Sequence, residues 1–168
     1  MSREAAGLVM AAVAAVILLG MFFAWRARLR RDGRLTAPVG VPEHAEVTAR
    51  HEVLYVATTK HDQPLERLAI TPLVYRARGE LALTDRGIAL SLDGAPTVFL
   101  ASSRLIAADR AMVTIDRVVE PGGLIRLVWN VSADTIADSF IRLTHAEPAT
   151  ILPQLQTLCA AAENGENS

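Results

Sequence analysis

The chain has 168 residues, of which 51% are hydrophobic and 21% are charged, and its formal net charge is −1. This balance excludes an intrinsically disordered chain, which combines low hydrophobicity with high net charge. The single cysteine, Cys159, excludes an internal disulfide.

An uncharged apolar stretch runs from Ala5 to Trp25 near the N-terminus. A helix of this length measures about 32 Å, against a hydrocarbon core of about 30 Å. The stretch is apolar on all sides, as a helix in lipid is. It therefore predicts a transmembrane helix over residues 5–25. The alternative is a cleaved signal peptide, but Glu4 offsets Arg3, and the apolar core exceeds the roughly 7–15 residues typical of such peptides.

Five arginines and one acid, Asp32, follow this stretch and give it a basic flank of net charge +4: Arg26, Arg28, Arg30, Arg31 and Arg34. The positive-inside rule then predicts a single-pass protein of the plasma membrane, with its N-terminus outside and its C-terminal domain in the cytoplasm. The same arginines are the predicted contact with the lipid bilayer, either by snorkelling to headgroups or by recruiting anionic lipid.

The rest of the chain is acidic. Residues 35–168 carry 11 basic and 16 acidic side chains, which gives a net charge of −5. Because a nucleic-acid-binding surface needs a basic face, we expect no nucleic acid partner.

Residues 26–50 are predicted to be a basic juxtamembrane segment and linker, since residues 35–50 contain prolines and glycine and have little periodicity. Residues 61–64 are typical of a turn. The secondary structure of residues 65–75 is ambiguous, because Pro72 argues against a continuous helix or a central strand. Residues 104–109 are interpreted as a short helical turn or irregular segment. Hydrophobic alternation, β-branched residues and turn signals predict strands over 53–59, 79–84, 87–92, 96–101, 112–119, 124–131 and 139–144.

The last element has helical periodicity, and its apolar positions share one face: Ile151, Leu152, Leu155, Leu158, Cys159 and Ala162. Thr150 is the predicted N-cap and Pro153 lies in the predicted first turn. Residues 164–168 are a predicted disordered tail. The fold class is therefore mainly β, a half-open barrel or orthogonal sandwich of about seven strands capped by a C-terminal α-helix, over residues 51–163.

Several segments resemble one known family: Leu54–Thr59, Pro64–Arg67, Arg76–Ile88, Leu124–Trp129 and Asp138–Arg142. The chain is similar to actinobacterial single-pass membrane proteins that carry a cytoplasmic domain like the pleckstrin-homology (PH) domain. The resemblance implies a PH-like split barrel and no defined enzymatic activity. One departure lies at residues 71–75, where that family is richer in glycine.

The resemblance also points to a candidate ligand or partner patch: Lys60, Arg67, Arg76 and Arg78. A lysine with an Arg-x-Arg pair is how phosphoinositide-binding PH domains hold phosphates, which need several converging cations. Here Asp62, Glu66 and Glu80 dilute the positive charge. Solvated charges and a protein-docking patch therefore remain the alternatives.

Metal and catalytic chemistry find little support in the sequence. His44, His51 and His61 lie near acids but in predicted linker and turn segments, so we expect surface histidines and no metal or other cofactor. Asp138 and Arg142 share one face of a predicted strand, where they are interpreted as a structural ion pair. Nucleophile-elbow, phosphate-loop, dinucleotide and zinc-protease motifs are absent from the sequence, and no enzyme is predicted.

These observations predict a membrane-anchored, non-enzymatic PH-like interaction module that docks an unidentified protein partner at the cytoplasmic face of the membrane. Two alternatives stay open. One is lipid-headgroup sensing by the domain together with the arginine cluster, and the other is an auxiliary subunit of a membrane transport complex. The sequence does not fix the oligomeric state.

Overall fold

The computed structural model describes residues 3–32, 35–111 and 123–165. It divides the chain into two compact units, residues 1–34 and residues 35–168. In the described residues the first unit is a single helix, α1 (Arg3–Asp32).

Helix α1 contains an apolar stretch, Gly7–Ala27, whose mean hydropathy is 2.6. Its large apolar side chains are exposed to the surroundings, as for Leu18 and Phe23. By length and composition the helix is therefore apolar enough to cross a membrane.

The second unit contains antiparallel strands, whose bounds are β1 (Val47–Lys60), β2 (Gln63–Arg67), β3 (Ala77–Thr84), β4 (Gly87–Leu92), β5 (Val98–Ala101), β6 (Leu105–Ala111), β7 (Leu124–Ser132) and β8 (Thr135–Leu143). A short 3-10 turn, Ser102–Arg104, connects β5 to β6. The chain ends in helix α2 (Pro148–Gly165).

The sheet has the order β5-β4-β3-β1-β8-β7-β6, and β2 pairs with β1 beside this path. Because the path runs from β5 at one end to β6 at the other, the sheet is open. The long strand β1 joins its two halves, pairing with β3 along its first part and with β8 along its second. A register shift between Tyr55 and Ala57 marks the change of partner.

The second unit begins earlier than the predicted boundary at residue 51. The backbone N–H of Ala37 donates to Thr71 O at 2.8 Å, and the Ala37 side chain is buried. The segment that follows Leu35 therefore lies against the sheet, although β1 itself starts only at Val47. Its prolines and lack of periodicity resemble a linker, but its backbone groups find partners within the domain.

The mainly β fold with a C-terminal helix is confirmed. The predicted strands over 79–84 and 87–92 form a hairpin around Asp85 and Arg86, in which Thr84 pairs with Gly87. The interpretation of residues 104–109 as helical or irregular is wrong, because they belong largely to β6. A register shift in β6 just after Leu105 breaks the alternation that reveals a strand. The predicted strand over 112–119 lies outside the described residues.

The core fills the inner face of the sheet, and α2 covers it next to β6 and β7. Trp129 is fully buried in this core. The predicted apolar face of α2 is confirmed in its described side chains, since Ile151, Leu155 and Cys159 are buried in the core.

The predicted start of α2 is wrong. The helix begins at Pro148, so Thr150 lies in its first turn and Pro153 lies inside it. Pro148 fits this first turn, because the first helical N–H groups need no intrahelical acceptor.

Candidate functional site

A groove of about 350 Å³ lies beside the turn between β1 and β2, on the outer face of β6, β7 and β8. Strand alternation places its side chains: Ala137, Ser139 and Ile141 point into the core, so Asp138 and Phe140 point outward. The residues that line the groove are Asp62, Pro64, Arg110, Ala111, Arg126, Asp138 and Phe140.

Arg126 is the central cation of this groove. Its Nε and Nη2 donate to Asp109 Oδ1 and Oδ2 at 2.9 and 2.6 Å, and its Nη1 lies 3.7 Å from Asp138 Oδ2. The hydrogen bonds to Asp109 raise the pKa of Arg126 above its usual value. Pairing of this two-pronged kind fixes the guanidinium in one orientation.

Asp138 is buried, with its side chain only 4% exposed, and a buried carboxylate needs partners. His61 provides one, because its Nδ1 lies 2.7 Å from Asp138 Oδ1. The backbone N–H of Asp62 provides another, at 3.4 Å from Asp138 Oδ2. Asp62 itself has a positive φ of 56°, and its Oδ2 lies 3.4 Å from His61 Nε2.

Sequence reasoning missed this cluster. It treated His61 as a surface histidine, whereas the ion pairs described for Asp138 are those with Arg126 and His61. The predicted pair of Asp138 with Arg142 stays a prediction. The turn residues and Asp138 are far apart in sequence. Only the pairing of β1 with β8, which places Lys60 opposite Ala137, brings them together.

A second polar network lies in the core. The Tyr55 hydroxyl donates to Leu73 O at 2.8 Å and lies 2.8 Å from Thr58 Oγ1. Thr58 Oγ1 lies 2.6 Å from Ser139 Oγ, which accepts from Trp129 Nε1 at 2.9 Å. Burial raises the pKa of Tyr55 to about 12. These hydroxyls are engaged in holding strands together, which argues for a structural role.

The predicted basic patch is only partly brought together. Arg67 Nη2 donates to Val74 O at 3.2 Å, which joins the end of β2 to the segment just before Arg76. Lys60 pairs with Gln63 at the other end of the same hairpin. Arg78 lies apart from these residues on β3, opposite Leu54 of β1.

Two exposed apolar side chains lie close in sequence to Arg67 and Arg76. Leu65 is 84% exposed and Tyr75 is 79% exposed, the highest values among the large apolar side chains described in the second unit. Leu65 shares a face of β2 with Arg67, and Tyr75 follows the carbonyl that Arg67 binds. Sequence reasoning missed both because it left residues 65–75 ambiguous. We term the group formed by Lys60, Leu65, Arg67, Tyr75 and Arg76 the β2 patch.

The arginines predicted to contact lipid belong to the first unit. Arg26 is exposed on α1, and Arg28, Arg30 and Arg31 lie in the same helix. Arg34 lies outside the described residues. Their contact with headgroups stays a prediction.

The model of a bacterial PH domain-like family matches residues 35–155, which is more than half of the chain. The match begins where the second unit begins and extends through all the strands into α2. No curated protein matches the sequence.

Proposed function

Because the chain belongs to the bacterial PH domain-like family, we propose that it is a membrane-anchored, non-enzymatic module that docks a protein partner at the cytoplasmic face of the plasma membrane. Domains of this kind are in general interaction modules without catalytic activity. The apolar helix α1 is the proposed anchor. Its basic flank would place the domain in the cytoplasm under the positive-inside rule.

The β2 patch is the observation that carries this proposal. Leu65 and Tyr75 are more exposed than any other large apolar side chain described in the second unit. Exposed apolar groups ringed by polar ones mark interaction surfaces. Tyrosine and arginine are also the residue types that dominate binding energy at protein interfaces.

The chemistry of the patch defines its partner. Arg67 shares a face of β2 with Leu65, Arg76 follows Tyr75 in the chain, and Lys60 lies at the turn of the same hairpin. A fitting partner surface would offer an apolar depression for Leu65 and Tyr75, with acidic residues around it. Anchoring to the same membrane raises the effective concentration of the two proteins, so a weak contact would suffice.

Site-specific photo-crosslinking in intact cells tests the proposal. A photoreactive residue at position 65 or 75 of the full-length chain should give a reproducible protein adduct, and Arg76→Glu should abolish it. Ile136, which is 37% exposed on β8, is the matched control position and should give none. Equal adducts from position 136, or no protein adduct at all, would contradict docking through the β2 patch.

Other outcomes of this experiment point to the alternatives. Adducts with lipid alone would favour headgroup sensing, which the cations of the patch also suit. An adduct with a polytopic membrane protein would support a role as an auxiliary subunit of a transport complex. Cleavage of the domain by a protease added outside intact cells would contradict the proposed orientation.

A further inference from the structure

The His61 ring is oriented by a buried carboxylate, that of Asp138, which contacts its Nδ1 atom. Its Nδ1 lies 2.7 Å from Asp138 Oδ1, while Asp138 Oδ2 faces Arg126 Nη1 at 3.7 Å. An ionised carboxylate only accepts hydrogen bonds, so this network assigns the proton to Nδ1. With the proton on Nδ1, Nε2 is the ring atom that can bind a metal ion, on the side away from Asp138.

Asp62 places a second ligand atom beside this nitrogen. Its Oδ2 lies 3.4 Å from His61 Nε2. Zinc binds imidazole nitrogen at about 2.0–2.1 Å and carboxylate oxygen at about 2.0–2.2 Å, so two tetrahedral ligand atoms lie about 3.4 Å apart. The positive φ of Asp62, 56°, and its N–H on Asp138 Oδ2 hold the turn in this arrangement. The observed separation therefore already fits a bridging ion.

We propose that His61 Nε2 and Asp62 Oδ2 bind a divalent transition-metal ion of the zinc class, and that Asp138 is the positioning residue for His61. Ligand atoms of these three residues lie within 4.8 Å of one another. Metal-bound histidines typically donate their other ring N–H to a carboxylate, which fixes the tautomer. Water or a donor from a bound partner would complete the coordination.

The two carboxylates that face the His61 ring, Asp62 and Asp138, favour a cation there. Asp109 adds a third negative charge, while Arg126 and Arg110 line the groove and Lys60 precedes His61 at the turn. Arg126 is engaged by Asp109 and turned toward the far oxygen of Asp138, so it leaves Asp138 Oδ1 to His61. This site adjoins the β2 patch at Lys60 but shares no residue with it, and it does not depend on the docking proposal.

The chain offers a matched control pair. His145 Nε2 lies 3.2 Å from Glu52 Oε2, a histidine and a carboxylate at nearly the same separation. Both side chains are highly exposed, 76% and 71%, and the contacts described for His145 include no buried carboxylate. If ring positioning by Asp138 matters, the ion should select His61 over His145.

The test is calorimetric titration of the full-length, tag-free protein in detergent micelles with Zn²⁺ alone. We expect one saturable equivalent per chain, which His61→Ala removes and His145→Ala leaves unchanged. Asp62→Asn should weaken binding at least tenfold by removing a ligand charge. Asp138→Asn should weaken it by about 10–100-fold, as loss of a group that orients a ligand does.

Cobalt spectroscopy separates positioning from a merely structural role. Co²⁺ should give a ligand-field absorption that His61→Ala abolishes and Asp138→Asn shifts. His61 is partly exposed, and in its absence Asp138 keeps Arg126 and the Asp62 N–H as partners, so the test does not depend on the folding of the Asp138 variant. Absence of saturable Zn²⁺ binding, binding that survives His61→Ala, or equal loss in His145→Ala would overturn the proposal.

Discussion

The indole Nε1 of Trp129 donates a hydrogen bond to Ser139 Oγ at 2.9 Å in the fully buried centre of the domain. This contact sets the direction of the donors in a longer chain of hydrogen bonds. At the other end, the hydroxyl of Tyr55 gives its one proton to Leu73 O, so it accepts from Thr58, and Thr58 in turn accepts from Ser139. The donors therefore run in one direction from β7 through β8 and β1 to the segment after β2.

Replacing Ser139 with alanine breaks this chain in the middle. Ser139→Ala leaves the Trp129 N–H without its acceptor in a buried site, which should cost about 1–3 kcal/mol of unfolding free energy. Denaturant unfolding of the full-length protein, followed by near-UV circular dichroism, measures the loss. Ser132→Ala, at an exposed position at the end of β7, should stay within about 0.5 kcal/mol. Equal stability of both variants would contradict the structural role of the chain.

The Tyr55 phenol makes stability depend on pH in the alkaline range. Burial raises its pKa from 10.0 to about 12, so the folded protein holds this proton more tightly than the unfolded chain does. The contribution of this phenol to the unfolding free energy is fully present below pH 10. It is lost as the pH rises from 10 to 12, which lowers the unfolding free energy by about 3 kcal/mol. The unfolding free energy, measured at several pH values between 8 and 12, should therefore fall.

Tyr55→Phe provides the comparison. It removes the hydroxyl, so it should be less stable at pH 8 but should lack the Tyr55 component of the alkaline decline. Tyr75→Phe, at a 79% exposed position, should keep that component. An identical decline in the wild type and Tyr55→Phe would show that other groups cause it.

The ion pairs of Arg126 should contribute more to the unfolding free energy than a solvent-exposed arginine pair does. Arg126→Gln removes the two-pronged pairing with Asp109 and leaves buried Asp138 without its nearby guanidinium, so we expect a loss of about 1–2 kcal/mol. Arg50 pairs with Glu80 through side chains that are 60% and 41% exposed, and Arg50→Gln should cost less than about 0.5 kcal/mol.

Salt separates the two variants further. Salt screens the exposed Arg50–Glu80 pair. In 1 M NaCl the small loss of unfolding free energy in Arg50→Gln should therefore vanish, while most of the loss in Arg126→Gln should persist. Chemical unfolding at low and high salt measures both. An Arg126→Gln loss that vanishes in high salt would mean that its pairing is no more protected than a surface ion pair.

Local patterns predicted most of the elements but not the contacts that build the sites. Alternation and turn residues located the β3–β4 hairpin, and helical spacing located the buried face of α2, because these signals arise within a few residues. Strand β6 was not predicted, because its register shift breaks the alternation of apolar and polar residues. The packing of the segment after Leu35 against the sheet was not predicted, because its hydrogen-bond partners, such as Thr71, are distant in sequence.

The candidate sites show the same limit. Lys60, Arg67 and Arg76 were identifiable as cations, but the exposure of Leu65 and Tyr75 depends on what the tertiary fold leaves uncovered. The approach of Asp138 to His61 depends on the register between β1 and β8. A single sequence contains no periodic signal for such a register, so these features required the structure.

Gly79 tests the close packing of β3 against β4. A Cβ atom at this position would lie 2.0 Å from Ser91 O, a backbone atom that cannot move without disturbing the ladder. Gly79→Ala should therefore cost about 3 kcal/mol or more. Gly94 has a positive φ of 75° but no atom within 4 Å of the added Cβ, so Gly94→Ala should cost only about 1 kcal/mol of backbone strain. Thermal and denaturant unfolding rank the two variants, and a Gly79→Ala protein as stable as Gly94→Ala would contradict the observed approach of β3 to β4.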